Sequence, residues 1–204
     1  GMRLPLLGFL LAKHTHAPRA LGLYENGLIR ETPAVELLYT MSDLPNIAGA
    51  TACGEMLMVM GLLAQGRVDV GFIGGAEIDR FGNVNTTLVR HDGDKVLRLP
   101  GSGGAGDIAS LARRFIVLMP HERRRFPARV SYITSPGHGE GKGWRQRVGL
   151  PSGGPAAVIT DKAILRPDPE TQELRLVSLH PRVSLEEVRA STGWDLQIAD
   201  PVER

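Results

Sequence analysis

Two short stretches hold the residues best suited to chemistry. In Ala20-Leu21-Gly22-Leu23-Tyr24-Glu25-Asn26-Gly27 an apolar run ends in a carboxylate followed by a turn pair. Asn-Gly is a strong turn signal because both residues tolerate positive φ. The pattern predicts a buried strand with Glu25 at its carboxyl end, where the backbone turns away. In open α/β sheets that rim is where ligands bind. A carboxylate held there, with apolar neighbours on one side, is a candidate nucleophile or base. The plainer reading is a loop acid facing water. The second stretch is Leu99-Pro100-Gly101-Ser102-Gly103-Gly104-Ala105-Gly106-Asp107. Residues 101–106 match G-x-G-x-x-G, but Pro100 and a charged stretch precede them rather than a clean strand, which argues against dinucleotide binding. Backbone N–H groups leading into a helix over 107–113 suit an oxyanion or phosphate nest. A glycine-rich connector is the alternative.

The remaining reactive groups point to less. His14 and His16 form an HxH pair with no Cys, Asp or Glu at ligand spacing, so they read as histidines favoured by a helix C-terminus, and no metal site is expected. Four arginines lie between His121 and Arg129. Such a run is a solvated face, or, beside a ligand cleft, a partner for phosphates. Cys53 is the single cysteine, which excludes an internal disulfide and fits a reducing, cytoplasmic setting. It reads as inert packing on a helix. Met41, Met56, Met58 and Met60 read as core filler.

Composition places few demands on partners. The 204 residues are 42% hydrophobic and 23% charged, as in ordinary globular chains. Lys+Arg 24 against Asp+Glu 22 leaves +2, too weak a bias for nucleic acid. No apolar run reaches the ~18 residues a membrane span needs. Gly1 before Met2 reads as a tag remnant and is set aside.

The elements that must position these residues alternate along the chain. Residues 6–13 form a buried helix, apolar nearly all round, that stops before Pro18. Residues 29–39 have a mixed pattern. The spacing predicts a helix over 51–65 capped by Gly66, then a strand over 68–73. Residues 75–87 read as a loop leaving the sheet, 115–119 and 130–133 as strands, and 135–143 as a long flexible loop. Strands over 156–160, 163–166 and 173–179 follow, the latter two joined by a Pro167-Asp168-Pro169 turn and so antiparallel. Ser184-Leu185-Glu186-Glu187 is a capping box that opens a helix closed by Gly193. The whole is an α/β chain: an open, mainly parallel sheet with helices on both faces and a short antiparallel C-terminal part. No linker or repeat interrupts it, so a single domain over 1–204 is expected.

In order along the chain, these segments resemble the β subunit of family I CoA-transferases, of the glutaconate CoA-transferase type. The resemblance rests on Leu4-Pro5-Leu6-Leu7, Lys13-His14-Thr15-His16-Ala17-Pro18, Tyr24-Glu25-Asn26-Gly27 and Gly75-Ala76-Glu77-Ile78-Asp79-Arg80-Phe81-Gly82-Asn83-Val84-Asn85. It continues through Pro100-Gly101-Ser102-Gly103-Gly104-Ala105-Gly106-Asp107, Ile133-Thr134-Ser135-Pro136-Gly137 and Leu179-His180-Pro181. It implies that Glu25 attacks an acyl-CoA carbonyl, giving an acyl-glutamyl anhydride and then a glutamyl-CoA thioester. A thioester exchanged between carboxylates suits a carboxylate nucleophile, because each intermediate stays as activated as the substrate. The resemblance further implies oxyanion donation by the backbone of Gly103 and Gly104. It places Asn26, Gly27, Asn83, Asn85, Ala105 and Gly106 around the CoA substrate.

The CoA thioester is then a substrate, and no permanently bound cofactor is implied. The partner implied is an α subunit that completes the site, with a homodimer as the fallback. Family members carry a helix and a strand ahead of the Leu4-Pro5 segment, and this sequence begins almost at that segment. Two other functions use the same scaffold: a hydrolase that opens a cyclic CoA thioester but lacks the turn glutamate, and a truncated, non-catalytic assembly subunit. The Glu25-Asn26-Gly27 turn favours transfer over ring opening.

Overall fold

The computed structural model describes residues 3–36, 38–90, 95–151 and 153–203. Gly1, set aside above, lies outside them, as do Met2 and, in the mixed stretch, Leu37. The chain gathers into two compact units, Gly1–Arg67 and Val68–Arg204.

The first unit opens with α1 (Arg3–His14), whose last turn carries Lys13 and His14, cations favoured by the helix dipole. Only Leu6 is buried; it packs with Ala34 and Leu38. Leu4, Leu7 and Leu11 are 64, 58 and 65% exposed, so the all-round apolar helix is not the buried one expected. Strands β1 (Gly22–Leu23) and β2 (Leu28–Arg30) form an antiparallel hairpin with Gly22 opposite Arg30. Helix α2 (Leu44–Ala48) follows, with proline in its first turn, where a missing N–H costs nothing. Strand β3 (Ala52–Cys53) completes a three-stranded sheet of order β1-β2-β3.

The helix expected over 51–65 is therefore shorter. α3 (Met56–Ala64) begins only after Gly54, because residues 52–53 pair with β2 through Leu28 opposite Cys53. Cys53 is exposed on this strand, not packed on a helix. Gly66 does end the helix, at φ +68, the left-handed conformation that suits glycine after a helix C-terminus.

The second unit is built on a six-stranded sheet of order β13-β12-β11-β10-β9-β4. Its first strand, β4 (Gly71–Ile73), is followed by a small hairpin, β5 (Glu77–Ile78) with β6 (Val84–Asn85). This hairpin replaces the loop expected over 75–87. A two-stranded ribbon, β7 (Leu88–Arg90) with β8 (Val96–Arg98), leads into the glycine-rich stretch. A strand does precede the glycines, but it belongs to an antiparallel ribbon outside the parallel sheet, so no dinucleotide-type βαβ unit forms. Helix α4 (Ala105–Leu111) starts two residues earlier than expected. It packs on the sheet so closely that a Cβ on Gly71 would collide with Ile108.

Strand β9 (Phe115–Leu118) runs parallel to β4 and to β10. The short helix α5 (Trp144–Arg147) precedes β10 (Pro155–Ile159), β11 (Ala163–Pro167) and β12 (Leu174–Leu179); β11 and β12 pair antiparallel as expected, and β10 pairs antiparallel with β11 as well. Helix α6 (Leu185–Ala190) carries the expected capping box, and β13 (Gln197–Glu203) closes the sheet parallel to β12. Residues 130–133 form no strand. Gly193 does not close α6; Ser191 does, and Gly193 instead lies against Phe126, where a Cβ would strike the Phe126 carbonyl.

The core of this unit joins alternate residues of the central strands, such as Phe115, Val117, Val158, Leu165, Leu174 and Leu176, to Ala109 of α4 and Val188 of α6. Among the described residues no helix is long and apolar enough to cross a membrane.

Candidate functional site

Glu25 lies in a tight turn inside the first unit. The Gly27 N–H bonds the Tyr24 carbonyl at 2.9 Å, which makes Glu25 and Asn26 the central pair of a β-turn. The Tyr24 N–H reaches the Leu28 carbonyl at 2.9 Å and closes the hairpin. Glu25 thus follows a strand, but the two-residue, half-buried β1 of a small antiparallel sheet rather than a buried strand of the parallel one. Only Gly27 takes positive φ, +98. Glycine is also required there sterically: a Cβ would collide with the Gly54 carbonyl, and the Gly54 N–H bonds the Gly27 carbonyl at 2.9 Å. The turn is therefore stitched to the start of α3.

Asn26 works toward the protein. Its amide donates to the Met41 carbonyl at 3.2 Å and to the Ser42 hydroxyl at 3.1 Å. The Leu28 N–H approaches its Oδ1 at 3.4 Å. Tyr24 is buried beside Arg30; burial raises its phenol above the usual value, partly offset by the guanidinium. Arg30 and Asn46, which the sequence reading missed, lie beneath this region. Arg30 is 5% exposed and donates from Nε to the Thr32 carbonyl at 2.7 Å and from Nη1 to the carbonyls of Pro45 and Asn46. A signal existed: Arg30 shares a strand face with buried Leu28, where an apolar residue belongs.

The second unit holds the other residues singled out. Gly104 precedes α4 as its N-cap, and Gly103 takes φ +47. The Ala105 N–H bonds the Ser102 carbonyl at 2.9 Å, so that amide already has a partner within the loop. Gly106 lies in the first turn of the helix.

Asn83 and Asn85 are wholly buried and serve the fold. Asn83 Nδ2 donates to both oxygens of Asp79, at 3.1 and 3.0 Å, and to the Gly139 carbonyl at 2.9 Å. Its Oδ1 accepts the Gly137 and Gly139 N–H groups at 2.9 and 3.1 Å. The loop expected to be flexible over 135–143 is thereby fixed to the β5–β6 hairpin. Burial raises the Asp79 carboxyl, opposed by hydrogen bonds from Asn83 and from the Phe81 amide. Asn85 donates to Glu77 Oε2 at 2.7 Å and to the Leu88 carbonyl at 2.5 Å. Glu77, itself buried, also accepts the Ser131 N–H at 2.9 Å and hydroxyl at 3.1 Å.

Three arginines of the run, Arg123 to Arg125, bind neighbouring protein groups. Arg123 donates to the Thr192 carbonyl at 2.7 Å, and Arg124 and Arg125 pair with Glu122 at 2.6 and 3.3 Å. Among the described residues no group of three or more His, Cys, Asp or Glu side chains gathers as a metal site would require.

Known proteins give these features a context. The coenzyme A transferase profile matches residues 21–191. The β subunit of 3-oxoadipate CoA-transferase from Pseudomonas knackmussii is 39% identical over 205 residues, covering 100% of this chain and 78% of that protein. The β subunit of glutaconate CoA-transferase from Acidaminococcus fermentans is 38% identical over 209 residues, with the same coverage. The crystal structure of glutaconate coenzyme A-transferase from A. fermentans superposes with a TM-score of 0.87 at 38% identity, covering 95% of this chain and 76% of that one. The decarboxylase AibA/AibB shares the fold at 25% identity and TM-score 0.80, over 98% of this chain and 76% of its own. The ordered motifs, the mixed sheet and these likenesses agree: the chain belongs to the coenzyme A transferase family.

Proposed function

We propose that this chain supplies the covalent nucleophile, Glu25, of a CoA transfer between carboxylates. The observation that carries the reading is the turn itself. A carboxylate at the centre of a hairpin turn, with the Gly27 carbonyl of that turn bonded on one side to the Gly54 N–H and its neighbour Asn26 bonded on the other to Met41 and Ser42, is held in place before substrate arrives.

The chemistry balances without a redox step or a net proton. A Glu25 oxygen forms a C–O bond to the thioester carbonyl carbon, and collapse of the tetrahedral adduct breaks the C–S bond, releasing CoA thiolate and leaving an acyl-glutamyl anhydride. The thiolate then bonds to the glutamyl carbonyl carbon and displaces the donor acid as its carboxylate, giving a glutamyl-CoA thioester. An acceptor carboxylate runs the same two steps backwards. In this reading the Gly103-Gly104 backbone donates to the developing oxyanion, where removal of one donor costs on the order of 10²–10³ in rate. Asn83 and Asn85, with their polar atoms engaged internally, contribute by shaping the protein around the CoA ester.

The reading includes an α-type partner. Both relatives are named as one subunit of their enzyme rather than as the whole. The first unit carries exposed Leu4, Leu7 and Leu11 on α1 and exposed Met56, Leu57 and Met58 on α3, an apolar excess that a monomer rarely leaves open. The relatives named for 3-oxoadipate and glutaconate make dicarboxylic acids the first acceptors to try. The test is co-expression with the α chain and CoA exchange from acetyl-CoA or succinyl-CoA to those acids. Glu25→Gln, nearly isosteric, is expected to abolish transfer without altering assembly. Full turnover by that variant would overturn the assignment.

A further inference from the structure

Resting on the assignment of Glu25 as nucleophile, we propose that Asn26 and Asn46 are positioning residues that act on the Glu25 turn through one shared acceptor, the Met41 carbonyl. Asn26 Nδ2 reaches that oxygen at 3.2 Å from the turn side, and Asn46 Nδ2 reaches it at 2.7 Å from α2. A carbonyl oxygen has two lone pairs, so both amides bind without competing. Glu25 directly precedes Asn26 in the same β-turn, so displacement of the Asn26 amide moves the Glu25 backbone.

The acceptor is itself immobilised. Asp43 folds residues 39–43 into a compact loop by accepting the Thr40 hydroxyl at 2.8 Å and the Tyr39 and Thr40 N–H groups at 2.7 and 3.2 Å. These three bonds, the Thr40 hydroxyl foremost, hold its carboxyl below the usual carboxylate range. Arg30 fixes the far side by binding the Pro45 and Asn46 carbonyls, a buried guanidinium satisfied by backbone carbonyls. Gly49 makes room for it, since a Cβ there would collide with the guanidinium.

Asn46 is fully buried, and its Oδ1 has no hydrogen-bond partner. An unsatisfied buried acceptor costs about 1–3 kcal/mol. A side chain that keeps one half of its amide unsatisfied, while the other half binds Met41 at 2.7 Å, is placed for that single contact. Stability alone would favour an apolar residue of similar size at this site. The same Asn26 that the family pattern sets next to the substrate is, in this geometry, a strut.

The experiment is a double-mutant cycle in the complex with the α chain, using acetyl-CoA as the donor probe and glutaconate as acceptor. Asn26→Ala and Asn46→Ala are each expected to lower kcat about 10- to 100-fold, the scale of a misplaced reacting group. KM for acetyl-CoA should stay within about twofold in each, because in this geometry both amides bind the Met41 carbonyl. The double variant should be no slower than the slower single one, because both amides act through one carbonyl. Where Asn46→Ala fails to fold, Asn26→Ala and Asn26→Asp decide the matter. Both should lose kcat at unchanged melting temperature, Asp more than Ala because its carboxylate faces the Met41 oxygen. Wild-type kcat in Asn26→Ala, or singles whose effects multiply in the double variant, would overturn the positioning role. Glu25→Gln in the same assay separates the two claims: its retention of activity refutes the nucleophile, whereas a dead Glu25→Gln beside fully active Asn26 variants refutes only the strut.

Discussion

At the scale of single residues, buried polar groups do much of the shaping through the partners they bind. Glu77 is a carboxylate served by neutral donors, from Asn85 and from Ser131 twice over. Glu77→Gln keeps the volume but turns an NH₂ toward at least one of those donors. We expect it to lower unfolding free energy by about 1–3 kcal/mol, the cost of an unmet buried donor. Urea unfolding of the two proteins measures this, and coincident curves would show that Glu77 carries no such network. His121 and His138 are the complementary case, imidazoles kept neutral. Burial first, then Lys162, pushes His121 down to about 4. Burial first, then the Arg145 guanidinium, pushes His138 down to about 4. His121 lies flat against Phe126, with ring centroids 4.0 Å apart.

Elements show what local sequence can specify. The capping box before α6 forms as its spacing predicts, with the Glu187 N–H on Ser184 Oγ at 3.2 Å and the Ser184 N–H on the Glu187 carboxylate at 2.9 Å. Ser184→Ala should cost about 1 kcal/mol, read as a lowered urea midpoint, and an unchanged midpoint would mean the cap adds nothing to stability. Strands β9 to β12 were legible for a similar reason: their Val, Leu and Ile runs are bounded by Pro, Gly and Asp, and the signal is local. Where long-range contacts decide, the sequence misled. Residues 75–87 read as a loop because acids and amides dominate them, yet Glu77, Asp79, Asn83 and Asn85 are buried and bonded to one another, to 131 and to 137–139. Such partners lie far off in the sequence and leave no periodic trace. The neighbours of Cys53 carry a helical pattern, whereas pairing with Leu28 claims Cys53 for a strand. The Tyr24–Gly27 turn was visible; the struts that hold it, Arg30, Asn46 and the Met41 carbonyl, were not.

For the molecule as a whole, the two histidines set a pH dependence. Their folded values lie below the ordinary value of 6.5, so the unfolded chain takes up protons first as pH falls. Their contribution to stability is complete above about pH 6.5 and is lost progressively as pH falls toward about 4. Urea midpoints should therefore drop between pH 7 and pH 5, and drop less in His138→Gln than in the parent protein. A flat midpoint across that interval would mean neither ring is held neutral. The exposed leucines and methionines of α1 and α3 belong to the same scale, since they fit a chain that completes its apolar surface in an assembly.

The central claim is covalent, so it has a direct chemical test. The complex with the α chain is mixed with acetyl-CoA in the absence of an acceptor acid, quenched in acid, digested and mapped by mass spectrometry. The account predicts CoA attached as a thioester to the peptide carrying Glu25, removed by hydroxylamine and absent from Glu25→Gln. An active complex whose Glu25 peptide stays unmodified, or whose CoA is attached to another residue, would contradict it.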